Sequence, residues 1–173
     1  MEAVRERTVG EAADYAADRA GKYLTFSIGS EEFGIKVLKV REIMGVQDVT
    51  AVPQTPRYVK GVINLRGKVI PVVDLRMKFG LPEIPYTQRT CIIVVQLATA
   101  VGTAMIGVVV DSVSEVLNIA SQEIEDTPQF GRGVQTPYLL GMAKIKGKVK
   151  ILLDIDQVVS ATEAGGLAAL LEA

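Results

Sequence analysis

Apolar positions along the chain fall in short runs rich in valine and isoleucine: YLTFSI from Tyr23, EFGIKVL from Glu32, GVINL from Gly61, KVIPVVDL from Lys68, CIIVVQL from Cys91, AMIGVVVDSV from Ala104 and KVKILLDI from Lys148. Each has the length of a strand and is bounded by glycine-bearing turns. β-Branched side chains pack best on a pleated surface, so the pattern predicts an all-β fold. Helical pieces are brief: TPRYVKG from Thr55, LRMKFG from Leu75, SQEIED from Ser121 and IDQVVSA from Ile155. Such pieces close or plug small barrels. No apolar run approaches the roughly 18 residues of a membrane span. The charged, alanine-rich stretch 1–21 has no clear apolar stripe and reads as a flexible tail, while 161–173, broken at Gly165-Gly166, reads as a tail or short helix.

The runs repeat. YVKGVINLRGKVIPVVDL (58–75) aligns without a gap on YLLGMAKIKGKVKILLDI (138–155), setting Tyr58 on Tyr138, Gly61 on Gly141, Gly67 on Gly147 and Asp74 on Asp154. Upstream, FGIKVLKVREIM aligns on IGVVVDSVSEVL, setting Gly34 on Gly107, Val40 on Val113 and Glu42 on Glu115. Two matches in the same order imply an internally duplicated chain, each copy long enough for a five-stranded barrel but marginal alone, so the copies should pack together. The expected division is 22–89 and 90–160, allowing for a final strand exchanged between them. Arg66-Gly67 and Lys146-Gly147 read as tight hairpin turns, Gly61 and Gly141 as backbone positions, Asp74 and Asp154 as caps of the short helices, and Pro71 as an edge or bulge residue.

Composition narrows the chemistry. The chain has no histidine, hence neither the commonest general base nor the usual zinc ligand, and no metal or cofactor motif. Asp74 and Asp154 would be the carboxylate pair of an enzyme, but a strand-end aspartate is also a helix cap. Cys91, the single cysteine, excludes an internal disulfide and reads as a small buried hydrophobe. A net charge of −1 gives no global field for nucleic acid. Lys144, Lys146, Lys148 and Lys150 alternate as if on one sheet face, either a basic patch or protection of an edge strand. The start lacks an apolar signal-peptide core, which makes cytoplasm the default. Arg66, at a hairpin tip between apolar strands, is either a solvated turn residue or a guanidinium that fixes a carboxylate of a protein partner.

EEFGIKVLKVREI, TPRYVKGVINLRGKVIPVVDLR, GVVVDSVSEVL and YLLGMAKIKGKVKILLDI together resemble the CheW family of chemotaxis coupling proteins, over about Lys22 to Ser160. The resemblance implies two tandem SH3-like five-stranded β-barrels with no catalytic activity, cofactor or metal. It implies an adaptor joining the cytoplasmic tips of methyl-accepting chemoreceptors to the regulatory domain of the histidine kinase CheA, beneath membrane receptor arrays but not inserted in the membrane. A two-barrel interaction scaffold of another two-component pathway is the alternative. The receptor-binding positions carried over are Val40, Glu42, Arg66, Val113 and Val116, lining a groove between barrels, with Arg66 expected to pair with Glu42.

Overall fold

The structure, a computed structural model, describes residues 19–99, 102–126 and 138–159. Most of the expected N-terminal tail and all of 161–173 lie outside the described residues. In chain order the described strands are β1 (Gly21–Ile28), β2 (Glu31–Lys36), β3 (Val40–Gly45), β4 (Val59–Leu65), β5 (Lys68–Asp74), β6 (Cys91–Thr99), β7 (Gly102–Val110), β8 (Ser112–Ile119), β9 (Ile124–Glu125), β10 (Leu139–Ile145) and β11 (Lys148–Leu153). One-turn helices α1 (Leu75–Lys78) and α2 (Ile155–Val158) follow β5 and β11, and 3-10 turns span Val37–Lys39 and Ser121–Glu123. TPRYVKG is no helix: Val59 N–H closes a turn on Pro56 C=O at 3.0 Å, and the chain then runs directly into β4.

Two sheets form, β3-β6-β7-β5-β4 and β8-β1-β2-β11-β10-β9. Leaving aside the two-residue β9, they match strand for strand under the repeat, β3 with β8, β6 with β1, β7 with β2, β5 with β11 and β4 with β10. These are the two SH3-like barrels, but neither is one half of the chain. Barrel one takes β3 to β7; barrel two takes β1 and β2 from the start and β8 to β11 from the end. The expected division at 89/90 therefore does not follow the sheets: each repeat lends its opening hairpin to the other's barrel. The links explain why. Only Asp111 separates β7 from β8, and one residue cannot reverse a chain into a hairpin, so β8 leaves the sheet of β7 and pairs with β1. The three-residue turn Val37–Lys39 likewise carries the chain from β2 to β3, which pairs with β6.

Alternation along these strands sorts side chains into three cores. Ile63, Ile70, Val72, Ile92, Val94 and Val109 fill barrel one. Tyr23, Ile119, Ile124, Ala143 and Leu152 fill barrel two. The largest core lies between the barrels, where Leu24, Phe26 and Ile28 of β1 meet Ile93, Val95 and Leu97 of β6 and Ile106, Val108 and Val110 of β7. At roughly 25 cal/mol per Å² of apolar area, this shared layer supplies the burial that neither small barrel could supply alone. An aromatic row crosses it, Phe26, Phe33, Phe79 and Tyr138, with successive ring centroids 5.9, 5.5 and 6.4 Å apart.

The repeated turns form as the sequence predicts. Arg66 and Gly67 have φ of 51° and 86°, Lys146 and Gly147 of 54° and 78°, the left-handed pair of a two-residue hairpin. Gly61 and Gly141 sit at equivalent register shifts of β4 and β10. A Cβ on Gly61 would stand 2.0 Å from Thr50 O, and one on Gly141 2.7 Å from Glu125 O, so both positions exclude any side chain.

Several expectations are corrected. Pro71 lies on the inner strand β5, not at an edge or bulge: its partner Val62 spends both backbone groups on Thr50, and the ladder of β5 with β7 starts only at Val72, so no bond needs a proline N–H. The four lysines do not share a face. Lys146 occupies the turn, Lys144 stands opposite Val149 and Lys148 opposite Ile145, while Lys150 is buried opposite Ala143 and paired with Glu32 inside barrel two. Cys91 is half-buried at the start of β6. Arg19, within the stretch read as tail, is buried, and its guanidinium donates to Asp126 Oδ1 at 3.0 Å and Leu140 O at 3.2 Å, so the folded part reaches back at least that far.

Candidate functional site

The apolar members of the expected site stand three residues apart, Val113 and Val116 on β8. Regular alternation would put them on opposite faces. A β-bulge corrects this: the register of β1 with β8 shifts so that Val113 pairs with Phe26 and Val116 with Leu24, two residues of the inter-barrel core, which puts both valines on one face of β8. Thr25 sits at that shift, its hydroxyl donating to Glu115 O at 2.8 Å and accepting from Glu115 N at 3.2 Å, so a buried side chain fills the gap left in the ladder.

β3 carries the same device. Its register shifts after Val40, which pairs with Val95, so that Ile43 pairs with Ile93 on the same inter-barrel side. Val40 and Val113 pack partly buried against the central core, whereas Ile43 and Val116 are 43% and 54% exposed. Ile43 is therefore the counterpart of Val116, and it was absent from the expected set. The repeat alignment of FGIKVLKVREIM on IGVVVDSVSEVL, which sets Ile43 on Val116, is the signal that could have found it.

Glu42 and Arg66 are brought together, Arg66 Nη1 lying 2.7 Å from Glu42 Oε1, with the guanidinium side chain 74% exposed and the carboxylate 27%. The hairpin tip is held by Asn64, whose Oδ1 accepts from Gly67 N at 2.8 Å. Glu42 pairs with Val94 and shares its face with Met44, which packs on the interior of barrel one. The ion pair thus bridges the end strands β3 and β4 at the mouth of barrel one, and the edge of β3 separates it from Val40 and Ile43. Among the described residues no equivalent ion pair joins Lys146 to Glu115 in barrel two.

Asp74 and Asp154 act as caps. Asp74 Oδ1 accepts from Arg76 N at 2.9 Å and Met77 N at 3.4 Å, and Asp154 Oδ1 from Asp156 N at 3.2 Å. Asp74 Oδ2 accepts from the Tyr86 hydroxyl at 3.2 Å. Burial first, then the charge of Asp74 and this bond, push the Tyr86 pKa above its ordinary value of 10. The segment around Tyr86 joins the two repeats and is also tied by a Lys60–Glu83 ion pair, which holds the exposed Glu83 carboxyl below its ordinary range, and by Arg76 Nε donating to Pro82 O at 2.7 Å. A polar notch of about 290 Å³ lies between the β1–β2 turn and the β10–β11 hairpin, lined by Ser27, Ser30, Glu31, Glu32 and Lys148 among others, and includes none of the expected receptor-binding residues.

The profile of the CheW-like domain matches residues 22–163. The chain is 39% identical over 142 residues to the chemotaxis protein CheW of Klebsiella aerogenes, covering 82% of this chain and 83% of that one. It is 34% identical over 152 residues to the CheW of Rhizobium meliloti, covering 88% and 96%. Among solved structures it resembles the scaffolding protein TtCheW from Thermoanaerobacter tengcongensis, with a TM-score of 0.72 at 31% identity over 83% of this chain and 95% of that one.

Proposed function

We propose that this chain, which belongs to the CheW-like domain family, is a non-catalytic chemotaxis adaptor that joins methyl-accepting chemoreceptor tips to the histidine kinase CheA on the cytoplasmic side of receptor arrays. The observation that carries the receptor contact is the matched pair of bulged strands. β3 and β8 each hold one valine against the inter-barrel core and present one branched apolar residue, Ile43 or Val116, to solvent. Exposed apolar side chains of this kind, one on each barrel, suit the apolar face of a receptor helix hairpin, and the Glu42–Arg66 pair offers polar orientation. Adaptor work asks for no catalyst: several modest contacts held in one array raise effective concentration, so that a rearrangement in the receptor biases the kinase. Gly61, Gly67, Gly141 and Gly147 serve this indirectly, by fixing the hairpins.

The test mixes the purified chain with a receptor cytoplasmic fragment and CheA and follows assembly by size-exclusion chromatography. A ternary complex is expected, lost for the receptor arm when Ile43 and Val116 are both replaced by aspartate while CheA binding persists. Failure of the unaltered chain to form the ternary complex would favour a two-barrel scaffold with other partners.

A further inference from the structure

Each crossover between barrels is fastened by a charged clasp, and the two clasps are wired in opposite senses. At the β7–β8 link, Asp111 Oδ2 accepts from Gly29 N at 2.7 Å and lies 2.8 Å from Arg76 Nη1 of α1. At the β2–β3 link, the carboxylate comes instead from the helix: Asp156 of α2 accepts from Ala98 N at 3.0 Å through Oδ1, and its Oδ2 lies 2.6 Å from Lys39 Nζ of the link. Under the strand-for-strand match of the barrels Gly29 corresponds to Ala98, and Arg76 to Asp156. The same backbone N–H is satisfied by a carboxylate in both copies, but in one the anion sits on the crossover and the cation on the helix, and in the other the reverse. All four side chains are at most 28% exposed, so the pairs are partly shielded from solvent.

We propose that Asp111–Arg76 and Lys39–Asp156 are positioning residues that fix the starts of β8 and β3, and that their opposite polarity keeps each crossover on its own helix. Lys39 immediately precedes Val40, and Asp111 stands two residues before Val113, so each clasp pins a strand that carries one of the two bulged apolar pairs. This last step rests on the receptor reading above; the fastening itself does not. The polarity matters because the repeats are similar. With like-charged clasps, α1 could grip either link. As built, Arg76 facing Lys39 or Asp156 facing Asp111 would be repelled, so only the observed exchange of hairpins satisfies both.

The test uses the full chain. Asp111→Asn and Lys39→Gln should each speed amide exchange about tenfold or more at Gly29 and the first residues of β8, or at Ala98 and the first residues of β3, respectively, with core amides of β6 such as Ile93 unchanged. The fourfold reversal Arg76→Asp, Asp111→Lys, Lys39→Asp and Asp156→Arg exchanges the senses of the two clasps while keeping them opposite, and should restore the slow exchange at both links. Exchange that rises uniformly over the fold, or a swap no better than its single variants, overturns the proposal. Affinity for a receptor cytoplasmic fragment is read in parallel with Val116→Asp as reference. Weaker binding by the single clasp variants, restored by the swap, supports the positioning role. If Val116→Asp weakens binding but the clasp variants do not, the positioning role is overturned while the receptor reading stands. If Val116→Asp has no effect, the receptor reading falls, and the fastening is still decided by the exchange data.

Discussion

Glu32 and Lys150 form an ion pair inside barrel two, at positions whose counterparts in barrel one, Met105 and Ile70, pack in an apolar interior. The Lys150 side chain is 8% exposed and that of Glu32 29%. Removing one member of a fully buried pair costs roughly 3–5 kcal/mol, because a charge is left without its partner. Glu32 keeps part of its hydration at the polar notch, and an ammonium left alone could reach toward the same notch on its long stem, so Lys150→Ile and Glu32→Met should each cost about 2 kcal/mol. The double replacement installs the barrel-one pair. It strands no charge and buries apolar side chains worth roughly 1.5–3 kcal/mol each when fully buried, so it should fall within about 1 kcal/mol of the parent or above it. The coupling between the sites is then about 3 kcal/mol. Urea unfolding at pH 7 followed by far-UV circular dichroism measures all four corners of the cycle. Additive losses, leaving the double variant about 4 kcal/mol below the parent, would refute the equivalence of the two barrel interiors.

Gly61→Ala should destabilise by more than about 3 kcal/mol, since its Cβ would collide with Thr50 backbone, whereas Gly67→Ala, with nothing within 4 Å but φ of +86°, should cost roughly 1–2 kcal/mol; comparable urea midpoints would contradict this. Reversing either Glu42 or Arg66 should change stability by less than about 1 kcal/mol because the arginine is largely in water, yet the double reversal should recover receptor affinity lost by the singles; additive losses in calorimetry would show that the pair does not act as a unit. The raised Tyr86 pKa gives stability that is complete below pH 10 and is lost as pH rises beyond it, so the parent should lose stability between about pH 10 and 12 where Tyr86→Phe does not, and parallel pH profiles would contradict the assignment.

Much of the fold was legible because it was written twice. The gapless match of 58–75 with 138–155 carried the hairpin turns, the bulge glycines and the capping aspartates together, each tied to local geometry that only certain residues satisfy. What escaped was non-local. Exchange of the opening hairpins depends on which of two similar barrels β1 and β2 join, and local patterning is the same for either; only the one-residue link at Asp111 betrays it. Counting alternate lysines through Lys146-Gly147 fails because a hairpin turn breaks the count and sets Lys144 on the face opposite Lys148 and Lys150; Lys150 shares the face of exposed Lys148 but is buried, and its pairing with Glu32 comes from another strand. The site followed the same rule. Arg66 and Glu42 are expected to meet, and do; that Ile43 shares a face with Val40 is not legible, because a bulge, invisible to strict alternation, turns a spacing of three onto one face.

The most direct measurement is a backbone and methyl chemical-shift titration of the isotopically labelled chain with a receptor cytoplasmic fragment. Shifts should concentrate on β3 and β8, at Val40, Ile43, Val113 and Val116, with Glu42 and Arg66 at the margin, while the exposed hairpin residues Val69 and Val149 stay still. Shifts confined to those hairpins, with β3 and β8 silent at saturation, would contradict the assignment of the bulged strands as the receptor face.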